Sequence, residues 1–321
     1  MPIVVDADRP AQGPDVAERI HRSATSDRPF RYTLRAVAAL FGAVVVLFAW
    51  SIVKTAWPAI RTYGFHLVTG STWVAGGGPY GALPLIVDTL STTCIALLFA
   101  IPVGLATALS LQFIVPQRLR APSASLVELL AAVPSVVYGL WGIAVMVPFF
   151  IKTLEPFLSH VTGGHWPFSG PQQGFSILLA GVVLAIMILP TIVAVSRDVL
   201  ATVPTDLIEG ALSLGATRSQ VLLRVVLPSA RTGILGAIAL GTGRALGETI
   251  AVAMVIGSNA QIPHSLFSSG ATLASVIAVE FGNSVGTEGG ALAALALMLM
   301  IITGAVNFGA RALTRRAGAH A

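Results

Sequence analysis

The sequence predicts an all-α, polytopic membrane protein with six transmembrane helices, and three observations carry this prediction. Of the 321 residues, 55% are hydrophobic and only 10% are charged, whereas a water-soluble domain carries roughly 25% charged residues. Six stretches are long and apolar enough to cross a bilayer, which takes about 17–25 mainly apolar residues. The basic residues are concentrated in alternate connections between these stretches, as in other multi-span membrane proteins.

The membrane domain is predicted to cover residues 36–310, with a tail at each end. Residues 1–35 mix Asp, Arg, Pro and Ser with little apolar content, so we expect a mobile cytoplasmic tail there. Residues 311–321 form the second predicted cytoplasmic tail. The six predicted spans are 36–57, 83–111, 124–150, 175–196, 230–258 and 289–310.

The distribution of basic residues predicts the orientation of the chain. Fifteen arginines lie in the two tails and in the connections after spans two and four, against three basic residues in the connections after spans one and three. Cytoplasmic loops carry the excess of Lys and Arg, so both termini are predicted to be cytoplasmic. The net charge of +5 does not indicate a nucleic-acid partner, because the sequence contains no basic stripe with interleaved aromatic residues.

The connection between spans four and five, residues 204–228, is predicted to contain two short helices. Asp206 is expected to cap the first helix, with Glu209 completing a capping box, and Gly215 to end it. Pro228 is expected to end the second. A helix of about nine residues is roughly 14 Å long and cannot cross a bilayer. The pair therefore forms a cytoplasmic knob that docks a soluble partner, or an amphipathic hairpin on the membrane surface.

The residues of this connection resemble the loop by which permeases of ABC importers dock on their ATPase. That family pattern reads Glu-Ala-Ala, three residues, Gly, nine residues, Ile, one residue, Leu-Pro. The matching positions are Glu209, Gly210, Ala211, Gly215, Val225, Leu227 and Pro228. Gly210 and Val225 depart from the pattern, although the spacing fits throughout. The resemblance implies that these positions other than Val225, together with Leu212, couple the chain to an ATPase.

Two further stretches, 128–142 in span three and 243–252 in span five, resemble the C-type permease subunit of phosphate-specific importers. The resemblance implies a MetI-like, type I importer permease with a cytoplasmic coupling helix, in the bacterial cytoplasmic membrane and in contact with its lipid. It implies as partners an A-type permease subunit, a dimer of B-type ATPase subunits and an external phosphate-binding protein. ATP and Mg²⁺ are expected in the ATPase, because this chain lacks the Gly-Lys-Ser/Thr of a P-loop. The chain is therefore expected to hold no cofactor and to be no enzyme.

Span five carries two charged residues inside its apolar limits, Arg244 and Glu248. Arginine near the bilayer centre costs about 2.5–3.5 kcal/mol on insertion scales, so Arg244 is expected to face protein or water. A spacing of four places both residues on one face of a continuous helix. This fits either a buried ion pair that joins two helices or an anion pathway, since a guanidinium suits phosphate oxygens. The resemblance favours the pathway, with Glu248 orienting Arg244 at rest and preventing tight retention of phosphate.

Polar residues in other spans are candidates of less specific character. Pro134 is predicted to kink span three and to free a carbonyl group. Ser135 and Tyr138 beside it either line a pathway or only accompany the kink. Asp88 and Glu128 lie close to span ends and are expected to reach the membrane interface, with a role in transport as the alternative.

Other functions remain open at this point. The same architecture would serve another oxyanion, such as sulfate or molybdate. A secondary transporter driven by an ion gradient would need no ATP, and a membrane anchor without transport activity would tolerate leucine at position 244. His160 and His165 are five residues apart in an exterior loop without nearby carboxylates, so no metal site is predicted.

Overall fold

A computed structural model describes the backbone of residues 16–284 and 286–318, and the side chains of residues 30–284 and 286–312. These residues form no β-strand, only isolated bridges. The α-helices are Val16–Tyr63, His66–Thr69, Leu83–Leu109, Gln117–Ala132, Ser135–Trp141, Val147–Phe149, Glu155–Val161, Ile177–Ala201, Thr205–Ser213, Arg218–Val221, Leu227–Gly247, Ile250–Val255, Leu273–Glu280 and Glu288–Gly318. The remaining helical turns are the π-helices Ser110–Ile114, Gly142–Met146, Phe150–Leu154 and Leu222–Val226 and the 3₁₀-helix Phe281–Asn283.

Several of these helices run into one another, and six of the resulting helices are long and apolar enough to cross a membrane. This confirms the predicted number of spans. In chain order, spans one to six are Phe30–Tyr63, Leu83–Ile114, Ser135–Val161, Ile177–Ala201, Arg218–Gly247 and Glu288–Ala312.

The predicted limits of spans three and five are wrong. The predicted span 124–150 contains two helices, because Val133 and Pro134 adopt extended backbone conformations between them. The membrane-crossing helix therefore begins only at Ser135. The predicted span 230–258 is likewise interrupted after Gly247. Both interruptions lie beside predicted pathway residues.

The tails differ from the sequence-based expectation in extent. Helix Val16–Tyr63 begins well before residue 36, and helix Glu288–Gly318 continues beyond residue 310. Residues 1–15 and 319–321 of the predicted tails lie outside the described part of the chain.

The chain divides into two compact units, residues 1–51 and 52–321. In the first unit, the large apolar side chains from Phe30 onward are mostly exposed on the helix. A long apolar surface of this kind is typical of a helix that faces lipid.

Span four forms the centre of the second unit, where most of its residues are buried against neighbouring helices. Gly104 of span two and Gly241 of span five both face Ile192, and a Cβ atom on either glycine would lie 3.0 or 2.8 Å from that side chain. Small residues let helices approach closely inside membranes, where lipid tails are as apolar as the side chains. The contact between Gly241 and Ile192 therefore fixes span five close beside span four.

Candidate functional site

Span five ends at Gly247, inside the stretch that was predicted to be one helix. Glu248 follows with φ −72° and ψ 130°, and a short helix, Ile250–Val255, begins after Thr249. Two local hydrogen bonds pair polar groups at the break: the Glu248 N–H donates to Ala245 O at 3.3 Å, and Thr249 Oγ1 donates to Gly247 O at 3.1 Å. Glycine is a poor helix former, so Gly247 lowers the cost of ending the helix here.

This break corrects the predicted relation between Arg244 and Glu248. Because Glu248 is extended, the two residues do not share one face of a continuous helix. Neither Arg244 nor Glu248 forms an ion pair among the described residues, so neither the buried ion pair nor the orientation of Arg244 by Glu248 is present. Arg244 Nη1 instead donates to Thr191 Oγ1 of span four at 3.0 Å.

The guanidinium of Arg244 is otherwise open. Arg244 and Glu248 are both half-buried. The other Arg244 nitrogens make no hydrogen bond among the described residues, yet none of them is enclosed. The three N–H groups on Nε and Nη2 of this fixed donor fork are therefore unbonded and not enclosed.

A second break separates the helix that ends at Ala132 from span three, where a kink was predicted. Pro134 has no N–H to offer the Leu130 carbonyl four residues earlier. The Tyr138 hydroxyl donates to that carbonyl at 2.8 Å, and the Tyr138 side chain is buried. The freed carbonyl was predicted, whereas its partner was not. Ser135 is half-buried and is the first residue of the new helix.

The two short helices that follow the breaks, Ser135–Trp141 and Ile250–Val255, pack against each other. A Cβ atom on Gly139 would lie 2.5 Å from Met254 Sδ and 3.3 Å from the Ala251 Cα. Glycine therefore permits this close contact.

The predicted coupling helix is present between spans four and five as Thr205–Ser213. Its predicted cap is wrong: Pro204 precedes the helix, no side chain caps it, and Asp206 lies within its first turn. The capping box belongs to the next helix, where Thr217 and Gln220 exchange hydrogen bonds. Proline has no side-chain acceptor, so nothing at Pro204 can take up the free N–H groups.

The predicted end of the coupling helix at Gly215 is confirmed. Gly215 has φ +84°, and its N–H donates to Leu212 O at 2.9 Å while the Ala216 N–H donates to Ala211 O at 3.2 Å. This is a Schellman ending, in which glycine adopts the left-handed conformation at low cost.

The coupling helix has apolar side chains exposed on the protein surface. Ile208 and Ala211 pack on the core beneath the helix. Leu207 and Leu212 are 48% and 42% exposed, and Leu214 just beyond the helix is 91% exposed. Glu209 and Gly210 are exposed as well. Such an apolar patch on a short surface helix is typical of a protein contact.

Pro228 does not end the second short helix between spans four and five, which is a further correction. The helix that begins at Arg218 continues through Leu227 and Pro228 into span five. Ahead of the proline lies the π-helical turn Leu222–Val226, in which the Leu227 N–H donates to Leu222 O. This wider turn leaves room for the proline ring. The Ser229 hydroxyl donates to Val225 O at 2.7 Å.

Asp88 is fully buried and does not reach the interface as predicted. Its Oδ2 atom accepts the Ala271 N–H at 2.8 Å, and Thr89 Oγ1 accepts the Leu273 N–H at 3.0 Å. These two neighbours anchor the segment before helix Leu273–Glu280 to span two. The sequence signal was a pair of polar residues inside an apolar stretch.

These features are those of a membrane transport subunit. The chain has six spans, an exposed short helix between spans four and five, and an accessible guanidinium at a helix break. A family model described as "Binding-protein-dependent transport system inner membrane component" matches residues 100–318. The chain belongs to this family of importer permeases, which confirms the resemblance seen in the coupling loop.

Curated relatives match most of the chain. It is 39% identical over 289 residues to the "Phosphate transport system permease protein PstC" of Mesorhizobium japonicum, covering 88% of each chain. It is 41% identical over 291 residues to the protein of the same name from Pasteurella multocida, covering 89% of this chain and 91% of the relative.

Solved structures share the fold at low identity. A chain of a bacterial alginate ABC transporter, in complex with a periplasmic protein, aligns with a TM-score of 0.60 and 15% identity, covering 93% of this chain and 98% of that one. A chain of the MetNI methionine ABC transporter aligns with a TM-score of 0.53 and 20% identity, covering 74% and 97%.

Proposed function

We propose that this chain is a permease subunit of an ATP-driven importer of inorganic phosphate and forms half of the translocation pathway. The observation that carries the proposal is Arg244, a half-buried guanidinium at a helix break within the membrane domain, with nitrogens still open to a ligand. Its planar donor fork suits the oxygens of phosphate. Relatives named as phosphate permeases, at 39% and 41% identity, support phosphate as the anion.

In this proposal Arg244 binds the anion briefly as it passes. Glu248, whose carboxylate forms no ion pair among the described residues, repels the anion and so limits its retention. Ser135, the first residue after the other break, offers a half-buried hydroxyl to the anion. Tyr138 contributes its ring, because its hydroxyl is bonded to the Leu130 carbonyl.

The coupling helix Thr205–Ser213 is proposed to dock on a separate ATPase dimer, which binds ATP and Mg²⁺. The exposed Leu207, Leu212 and Leu214 support this docking, because an ATPase surface would cover them. Movement of this helix is transmitted into span five, because the helix from Arg218 continues unbroken to Gly247. The chain itself then needs no cofactor and catalyses no reaction.

The complete transporter is proposed to contain a second permease subunit of the A type and a phosphate-binding protein outside the membrane. Both termini lie in the cytoplasm, on the side that carries most of the arginines. The coupling helix then lies on the same side as the ATPase, and alternating access exposes Arg244 to each side in turn.

Reconstitution of the complete transporter in proteoliposomes tests this function. We expect uptake of labelled phosphate that requires both ATP and the binding protein and that persists in excess sulfate or molybdate. Uptake that sulfate or molybdate abolishes would assign another anion. Uptake by the isolated chain under an ion gradient, without ATP, would overturn the proposal in favour of a secondary transporter.

The docking role predicts that Glu209→Lys uncouples transport. Glu209 is exposed on the coupling helix, so the change leaves the spans folded while it places the wrong charge at the contact. We expect phosphate uptake to fall at least about tenfold, measured in cells with equal amounts of the chain in the membrane. Normal uptake by the Glu209 variant would count against docking.

A further inference from the structure

The hydrogen bond between Arg244 and Thr191 joins two spans at the proposed pathway. Arg244 Nη1 donates to Thr191 Oγ1 at 3.0 Å across 53 positions of the sequence, and both residues are half-buried. The close contact of Gly241 with Ile192 lies one helical turn from Arg244 and next to Thr191. The packing of spans four and five therefore holds the two side chains together.

Thr191 uses its hydroxyl differently from other threonines in the spans. Thr89, Thr93, Thr107 and Thr242 each donate to the backbone carbonyl four residues earlier, at 2.6–2.8 Å. In the described part of the chain, Thr191 makes no such bond and takes part only as the acceptor of the Arg244 N–H.

A hydroxyl carries one donor and two acceptor lone pairs. Since one lone pair of Thr191 Oγ1 accepts from Arg244, its proton remains available to a further acceptor. The unbonded Arg244 nitrogens and the Thr191 hydroxyl are then neighbouring hydrogen-bond donors, which can bind different oxygens of one tetrahedral anion.

We propose that Thr191 is both a positioning residue and a ligand at this site: it fixes the guanidinium of Arg244 and donates its own proton to an oxygen of the passing oxyanion. This inference rests on the proposed phosphate transport. It assigns to span four a part in anion binding that the sequence motif places on span five alone.

The test compares Thr191→Val, Thr191→Ser and Thr242→Val in the reconstituted transporter, with phosphate uptake and ATP hydrolysis measured on the same vesicles. Valine keeps the shape of threonine and removes the hydroxyl, so we expect uptake to fall about tenfold or more, in line with the loss of a hydrogen bond to a charged group. Stimulation of ATP hydrolysis by the loaded binding protein should stay within about twofold, so that less phosphate moves per ATP. Serine, which keeps the hydroxyl, should restore most of the uptake.

Thr242→Val is the matched control, because that hydroxyl bonds only the Ile238 carbonyl and its loss should leave uptake within about twofold. The inference would be overturned if Thr191→Val moved the normal amount of phosphate per ATP hydrolysed. It would also be overturned if uptake and ATP hydrolysis fell equally, or if both Thr191→Val and Thr191→Ser failed to assemble. Vesicles with the wild-type transporter and with Arg244→Ala distinguish a failure of the proposed function from a failure of the role of Thr191. Absence of phosphate uptake by the wild type would refute the proposed function, whereas a silent Thr191→Val beside an inactive Arg244→Ala would refute only the role of Thr191.

Discussion

The two helix breaks of the membrane domain differ in how their polar groups are used. At the break before Ser135, the carbonyl that Pro134 leaves free is bonded by Tyr138, within the protein. At the break after Gly247, the backbone is bonded locally, but the charged side chains of Arg244 and Glu248 remain open. Irregular backbone at membrane depth is tolerated where it is buried in protein or lines a water-filled cavity. At the first break a side chain bonds the carbonyl that lacks its proline N–H, whereas at the second the charged groups are left for water or a ligand.

The largest expected effect comes from the charged residues at the break after Gly247. Arg244→Ala and Glu248→Gln should each reduce phosphate uptake to background while the complex still assembles. For Arg244, two charge-assisted hydrogen bonds of about 1.5–3 kcal/mol each correspond to a loss of roughly 100-fold or more. Uptake into proteoliposomes measures the effect, and purification of the intact complex shows assembly.

Arg197→Ala is the matched control for the loss of an arginine. Arg197 bonds Glu128 and Asp198, whose side chains are 58% and 69% exposed, and such surface pairs contribute about 0–1 kcal/mol. We expect uptake above half of the wild-type rate. If Arg244→Ala were no worse than Arg197→Ala, the second break would be no more than a structural feature.

An intermediate effect, on stability and not on transport, is expected at the break before Ser135. Tyr138→Phe removes the hydroxyl that bonds the Leu130 carbonyl, which keeps the Val133 N–H at 3.4 Å, so the purified complex should be destabilised by about 0.5–1.5 kcal/mol. Thermal unfolding measures this loss, with the exposed Tyr32→Phe as control. We expect uptake to remain above half of the wild-type rate. A loss of uptake at unchanged stability would mean that the Tyr138 hydroxyl serves the anion instead.

The smallest effect is expected from Gly247→Ala. A Cβ at position 247 meets nothing within 4 Å, while alanine favours the helix by up to about 1 kcal/mol. The packing of Ile250–Val255 on Ser135–Trp141 should hold the break in place, so we expect uptake within about twofold of the wild type. A loss of more than fivefold would show that the glycine itself maintains the break.

Hydropathy, loop charge and glycine preference act over short distances along the chain, so they predict the membrane class, the six spans, the coupling helix and its end at Gly215. Arg244 stands out in the same way, since a charge inside an apolar stretch is costly. No such local pattern predicts that Glu248 leaves the helix, that Tyr138 bonds Leu130, or that Thr191 accepts from Arg244. These features depend on helix packing and on hydrogen bonds between atoms far apart in the sequence, and Pro228 likewise continues its helix through a π-helical turn that hydropathy does not reveal.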